Sequence, residues 1–381
     1  RESTLPAARV VALSLLTNSG ILTLDDAVDA FEDADANVRR HAVRVAESLA
    51  NGDAVVSDTV LTKLLPLATD SDAHVRLQVA CSLGQWQDIT TGDVLADVLL
   101  NNPHDSFLEA AIMSSLHKEN VDRFAEHLVE QSGQLHRHAV RTFPVLFAMC
   151  SDAIKARLAL AVSQTSSQRL ELWQWKVLPT VLEHFERHEG FRQTFKQQKG
   201  DALIEQCLPL AIQTIVDQDQ EVPLRVAALH TLHHLQIEKD VTIDVVAQVL
   251  NARNASEIQL AGVTALARND SPDSTQLMIG KWDQVSPSVR AAMLDALTSR
   301  VSSIELLLQS IGQSEIRASE IDTASRQRIF AAGGAKLKAQ AEQVFSGEVN
   351  ADRAVVIAEY SGVSELQASA SRGSELFAKH C

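Results

Sequence analysis

The sequence predicts an all-α chain, folded as a solenoid of stacked helix pairs. Three observations carry that prediction. The apolar load of the 381 residues falls on Leu, Ala and Val, with aromatics at 4% and only 15 Gly and 9 Pro. Small and aliphatic side chains suit helix-on-helix packing, whereas sheet sandwiches draw on aromatic and β-branched residues and frequent turns. A short motif also recurs along the chain: a polar turn, then Val or Leu followed by Arg, then Ala and aliphatics at helical spacing. Finally, a second segment with helical periodicity follows or precedes each copy, which is the signature of a repeat unit too apolar to stand alone.

In chain order, Leu24 to Phe31 reads as a helix with acids in its first turn, where the positive end of the dipole favours them. Ala36-Asn37-Val38-Arg39-Arg40-His41-Ala42-Val43 is the first motif copy and Ala73-His74-Val75-Arg76-Leu77-Gln78-Val79-Ala80 the second, about 37 residues on. Thr59 to Leu65 and Val94 to Leu100 supply the paired helices. Glu221-Val222-Pro223-Leu224-Arg225-Val226-Ala227-Ala228 is a close copy, Ser256 to Ala261 a degenerate one, and Pro287-Ser288-Val289-Arg290-Ala291-Ala292-Met293-Leu294 a full one. Ser286 before Pro287 has the form of a capping Ser with Pro at the first helical position. In a stack, the recurrent Arg39, Arg76, Arg225 and Arg290 form a structural ladder with turn acids, Arg39 lying near Asp72.

The middle is less regular. Leu170 to Glu189 is a long helical pattern that holds Trp173 and Trp175, one expected in the core and one at the surface. Phe191 to Gly200 is polar and basic and reads as a loop or short insertion, with a domain boundary near residue 195 as the alternative.

Charge and cysteine usage exclude several functions. The formal net charge of −15 argues against a nucleic-acid partner and against an anionic membrane surface. No apolar run reaches the about 18 residues of a membrane span. Cys81, Cys150 and Cys207 lie singly among apolar helical residues and are expected as buried thiols, with no CxxC pair to hold zinc. His230, His233 and His234 share a helical face, yet no Cys partner and no H-E-x-x-H spacing accompanies them, so packing is the expectation and no metal is assigned. His41 and His138 occupy matching places and read as structural. Nothing in residues 1 to 346 marks a catalytic residue, so this chain is expected not to be an enzyme.

The motif and its spacing resemble the HEAT-repeat family over roughly residues 5 to 346. The resemblance implies a right-handed superhelix of about eight to nine repeats with an irregular middle. The expected divisions are N-terminal repeats at 1–165, a long-helix insertion at 166–220, C-terminal repeats at 221–346, and a helix and linker at 347–371. Residues 372–381 then form a separate ending.

That ending changes character. Asp352-Arg353-Ala354-Val355-Val356 lies in one helix, a small polar linker follows, and the chain finishes with Arg372-Gly373-Ser374-Glu375-Leu376-Phe377-Ala378-Lys379-His380-Cys381. Gly373, Leu376, Phe377 and Cys381 match the Gly-x-x-Leu-Phe-x-x-x-Cys helix that leads into the CxxCH of c-type cytochromes. Together with the repeats, this resembles PVC-type haem-binding multidomain proteins, also described as putative membrane-bound dehydrogenases. The resemblance implies an exported, periplasmic parent protein with haem c, in which Cys381 forms a thioether once CxxCH is completed. It assigns the chain no cofactor of its own and makes it a non-catalytic scaffold between a dehydrogenase-like domain and an electron-transfer domain. The alternative is a free-standing adaptor that binds a protein on its concave face. Partners are accordingly neighbouring domains or another protein, without nucleic acid or membrane insertion.

Overall fold

Thr23 opens the repeat region with a capping box: its hydroxyl accepts from the Asp26 amide while the Asp26 carboxylate accepts from the Thr23 amide. Asp35, Asp72 and Asp105 cap later helices without the reciprocal bond, each Oδ1 accepting from the second and third amides of its helix. In the computed structural model, residues 3–50, 54–131, 136–163, 169–235, 239–269, 271–346, 358–362 and 369–380 are described, and among them all regular structure is helical.

The chain divides into two compact units, Arg1–Ile237 and Glu238–Cys381. In the first, α1 (Pro6–Asn18), α3 (Ala36–Ala50), α5 (Ala73–Ser82) and α7 (Ser106–Ser114) form one row, each packed on the next. A second row holds α2 (Leu24–Phe31), α4 (Ala54–Leu64), α6 (Thr90–Asn101) and α8 (Val121–Glu130). α2 packs on α4 and α6 on α8. The first row resumes with α9 (Ala139–Met149), α11 (Leu172–Arg187) and α14 (Val222–Leu232), again in successive contact. The second continues through α10 (Asp152–Ser163) and α12 (Glu189–Gln197). Helix α13 (Asp201–Val216) lies chiefly along α14 and is the extra element of the middle.

Neighbour-on-neighbour stacking makes this an α-solenoid, held by a core that runs the length of the unit: Val38, Ala42, Val75, Val79, Leu95, Leu108, Phe124 and Trp175 have essentially no exposure. Close approach is enforced at Gly92, where a Cβ would collide with the Asn120 carbonyl and the Phe124 amide, so α6 and α8 touch backbone to backbone. Pro144, Pro179 and Pro209 lie inside α9, α11 and α13, removing a backbone donor from each.

The second unit repeats the scheme with α15 (Lys239–Val249), α16 (Ser256–Arg268), α17 (Pro272–Gly280), α18 (Pro287–Leu297), α19 (Val301–Gly312), α20 (Thr323–Ala332) and α21 (Ala335–Ser346). Here α15 packs on α16 and α17, α16 on α18, α17 on α19, and α19 on α21. Ser286 stands at the N-cap of α18, but its hydroxyl pairs with Ser288 Oγ instead of a helix amide.

Three expectations need correction. Phe191 to Gly200 is not a loop: Glu189–Gln197 is helical, because Phe191 and Phe195, one turn apart, are fully buried. They stack at 5.4 Å between ring centres and meet Phe147, His184 and Phe185 edge-on, while the basic residues take the opposite face. Cys81 is exposed on α5, unlike Cys150 and Cys207. Arg39 reaches Asp70 and not Asp72, since Asp72 is engaged in capping its own helix. Of the tryptophans, Trp175 is fully buried and Trp173 partly exposed.

C-terminal to the repeats, residues 358–360 are helical, and residues 351–357 of the expected helix lie outside the described residues. The final element, α22 (Ala370–His380), is exposed from Ala370 to Lys379, Leu376 and Phe377 included.

Candidate functional site

The most regular chemical feature of the chain is the ladder that joins successive repeats of the first unit. Arg9 Nε and Nη2 donate to Asp33 Oδ2 and Oδ1, both at 2.7 Å. One repeat on, Arg39 Nε and Nη2 donate to Asp70 Oδ2 and Oδ1 at 2.7 and 2.8 Å. Each rung is a fork-on-fork pair, the strongest form of this contact.

The rungs are tied to one another through the backbone. Arg39 Nη1 donates to the carbonyls of Asp33 and Ala34 at 2.8 and 3.2 Å. Arg76 Nη1 repeats this on Asp70 and Ser71 at 2.7 and 3.1 Å. The carboxylates are fixed from the other side: Asp33 Oδ1 accepts from the Asp35 amide and Asp70 Oδ1 from the Asp72 amide, both at 2.8 Å. The guanidinium bonds hold the Asp33 and Asp70 carboxyls below the usual carboxylate range. Their hydrogen bonds in turn raise the affinity of Arg9 and Arg39 for their protons.

At the fourth place in the series, one repeat beyond Arg76, the polarity is opposite. Asp105 is the cap equivalent to Asp35 and Asp72, so the position four residues on, occupied by Arg39 and Arg76 earlier, is Glu109. Glu109 is 6% exposed and receives Arg141 Nε and Nη2 at 2.7 and 2.6 Å. His138 is buried beside this rung with Nδ1 3.8 Å from Glu109, and burial depresses its proton affinity while Glu109 opposes the effect. His41, at the matching place, bonds Ser14 Oγ at 2.7 Å. On the second row, Asp93 pairs with Arg123 and His127, and His127 Nε2 reaches Asp97 at 2.9 Å.

The remaining sequence-marked residues sit differently. Arg225 is 5% exposed and its Nε donates to the Ile215 carbonyl at 2.8 Å; burial lowers its proton affinity, against the pull of Asp217. In the second unit, Arg290 Nη1 donates to Glu320 Oε1 at 2.6 Å and its guanidinium lies over the Trp282 ring at 5.7 Å. Of the three histidines, His230 ends α14 and His233–Leu235 is a tighter 3-10 turn, which breaks the α-helical face they were expected to share. No cluster of three or more potential metal ligands occurs among the described residues. Cys381 lies outside the described residues.

Sequence reasoning found the arginines but missed Arg9, Asp33, Asp70 and the Glu109–Arg141 pair. The signal available was the aspartate two residues before the capping Asp35 and Asp72. Chemically, the ladder fixes repeat against repeat; it holds charges in pairs and offers no nucleophile or general base to a substrate.

Among the described residues, no helix is long and apolar enough to cross a membrane. No curated protein matches the chain. A crystal structure described as an engineered protein of the Northeast Structural Genomics Consortium is similar at 13% identity over 91% of this chain and 96% of that one, with a TM-score of 0.26. The family model for HEAT repeats matches residues 24–116, the stretch that carries the Arg39–Asp70 rung and both full motif copies of the first unit, so this chain contains HEAT repeats.

Proposed function

We propose that the chain is a non-catalytic scaffold segment of an exported multidomain redox protein, one that joins a dehydrogenase-like domain to a c-type haem domain. The scaffold half of this reading rests on one observation. Three of the ladder pairs of the first unit, Arg9–Asp33, Arg39–Asp70 and Glu109–Arg141, join one repeat to the next, so most of the repeat's charge goes into holding a fixed geometry.

The redox half rests on residues 373 to 381. In α22 the apolar pair Leu376 and Phe377 stands exposed, as the first helix of a cytochrome would before the rest of its domain packs on it. Cys381 supplies one thioether at most; the second Cys and the proximal His of the motif would have to follow it, so the residues present do not make a haem site by themselves. A scaffold in that position sets the distance and orientation of two domains.

The test is the reading frame beyond Cys381 together with a haem stain of the exported parent protein after denaturing electrophoresis. The reading expects x-x-Cys-His and a covalently stained band. A stop codon directly after Cys381, or an unstained parent, overturns the redox half and leaves a scaffold of another kind.

A further inference from the structure

The ladder has one open rung. Arg76 is anchored like Arg39, its Nη1 on the carbonyls six and five residues before it at nearly the same distances. Its fork should therefore meet a carboxylate at the place where Asp33 and Asp70 serve Arg9 and Arg39. Those acids stand two residues before the capping aspartate. Two residues before Asp105 stands Pro103. The exchange is visible in the backbone as well: the Asp105 amide, lacking the side-chain acceptor that serves Asp35 and Asp72, turns to the Asn102 carbonyl.

Arg76 Nε is consequently buried without a hydrogen-bond partner, and among the described residues no carboxylate lies within ion-pair distance of this guanidinium. The acids nearby are committed elsewhere. Asp70 holds Arg39, Asp105 caps α7, and Asp97 binds His127. A guanidinium fork with an unfilled side is a carboxylate receptor in its geometry.

There is room for a ligand. Arg76 lies on two adjoining clefts of about 510 and 540 Å³. The first is walled by Leu65, Val94 and Val98, the second by Pro103 and Phe107. Phe107 is 79% exposed at the rim, an apolar surface beside the cation.

We infer that Arg76, with the clefts on either side of it and Phe107, is a docking site for a peptide segment of a protein partner. That segment carries one carboxylate into the Arg76 fork and an apolar side chain onto Phe107. The incoming carboxylate takes the place the repeat gives to an aspartate elsewhere, so the partner completes the ladder. The inference rests on the scaffold reading, but it does not depend on the haem domain; an unstained parent protein leaves the measurement below untouched.

The experiment is a ligand-observed NMR titration of the chain with three synthetic peptides: Ac-Ala-Leu-Glu-Leu-Ala-NH2, its Gln twin, and Ac-Ala-Leu-Ala-Leu with a free C-terminal carboxylate. At least one carboxylate peptide should bind at least about tenfold more tightly than the Gln twin, in the millimolar range or better. Which of the two binds tells whether the carboxylate comes from a side chain or a chain end. Arg76→Gln should abolish the preference. Pro103→Asp should also abolish it, by restoring the rung within the chain, and should fold at least as stably as the wild type. This second variant keeps the test decisive if Arg76→Gln misfolds. The inference is overturned if neither carboxylate peptide outbinds the Gln twin up to about 10 mM, or if both variants bind as the wild type does.

Discussion

Breaking the Arg39–Asp70 rung should measurably loosen the first unit. The two side chains are 15% and 6% exposed and joined by two bonds of 2.7 and 2.8 Å. Fully exposed pairs contribute about 0.2–1 kcal/mol, and removing one partner of a fully buried pair costs about 3–5 kcal/mol. A bidentate pair that is largely but not fully buried lies between them, and a hydrogen bond to a charged group contributes about 1.5–3 kcal/mol, so Asp70→Asn should cost about 2 kcal/mol. Urea unfolding of Asp70→Asn, Arg39→Met and the double variant forms the assay. The cycle should return a coupling energy of about 1–2 kcal/mol, because either single change breaks the same pair and the second then costs little more. The sign of the pH effect follows from the direction of the shift. The Asp70 carboxyl is held below its ordinary range by Arg39, so its contribution is present in full above that range and is lost as the pH falls through the folded value. The gap between wild type and Asp70→Asn should hold from neutrality down to about pH 4 and close below it. A coupling energy under about 0.3 kcal/mol, or a gap that stays open in strong acid, would refute the assignment of the rung as a stabilising tie.

Other consequences are open to direct measurement. Gly92→Ala drives a methyl into the Asn120 carbonyl and the Phe124 amide and should cost about 1–3 kcal/mol in thermal or urea unfolding; an unchanged midpoint refutes the close approach of α6 and α8. Trp175→Ala empties a fully buried site between α11 and α14 and should cost about 3–5 kcal/mol. Burial holds the His184 imidazole down to about 4, so the unfolded chain binds its proton first and stability should fall as the pH drops from about 6.5 towards 4; His184→Leu should flatten that decline. In a Cys381→Ser background, a thiol reagent should label the exposed Cys81 in the native protein; burial raises all three thiols, Cys207 to about 12, and the buried Cys150 and Cys207 should react only on unfolding.

How much of this was legible in the sequence differs residue by residue. Arg39 and Arg76 were found because the motif that marks them is local: a cap, an apolar residue and an arginine within one helical turn. Their partners were not, because a rung pairs residues about 31 positions apart and two aspartates compete for the role. Asp72 is the closer match by eye, yet an aspartate at the N-cap is already occupied by two amides, and only Asp70 keeps its carboxylate free to face the preceding repeat. Arg225 shows the reverse failure. Its motif reads like that of Arg39, but the extra helix α13 covers it, and a buried guanidinium takes a backbone carbonyl instead of a solvent-facing acid. The α12 segment was misread because charge dominates its composition, while two phenylalanines one turn apart decide its conformation.

The ladder also explains why its single gap carries information. A single rung contributes about 2 kcal/mol at most, and register along the solenoid comes from the buried apolar rows, so losing one carboxylate is tolerable to the fold. An arginine whose Nε is buried and unpaired is a cost to the fold that an acceptor from outside the chain would remove. At the next rung the charges have exchanged sides as a pair, Glu109 for arginine and Arg141 for the acid, which shows that the repeat can rewire a rung completely. At Arg76 only one side has changed: Pro103 removes the acid, and the arginine keeps both its backbone anchors and its place between two clefts. A half-rung kept in that form is what a scaffold needs where its own chain stops supplying the partner and another polypeptide begins to.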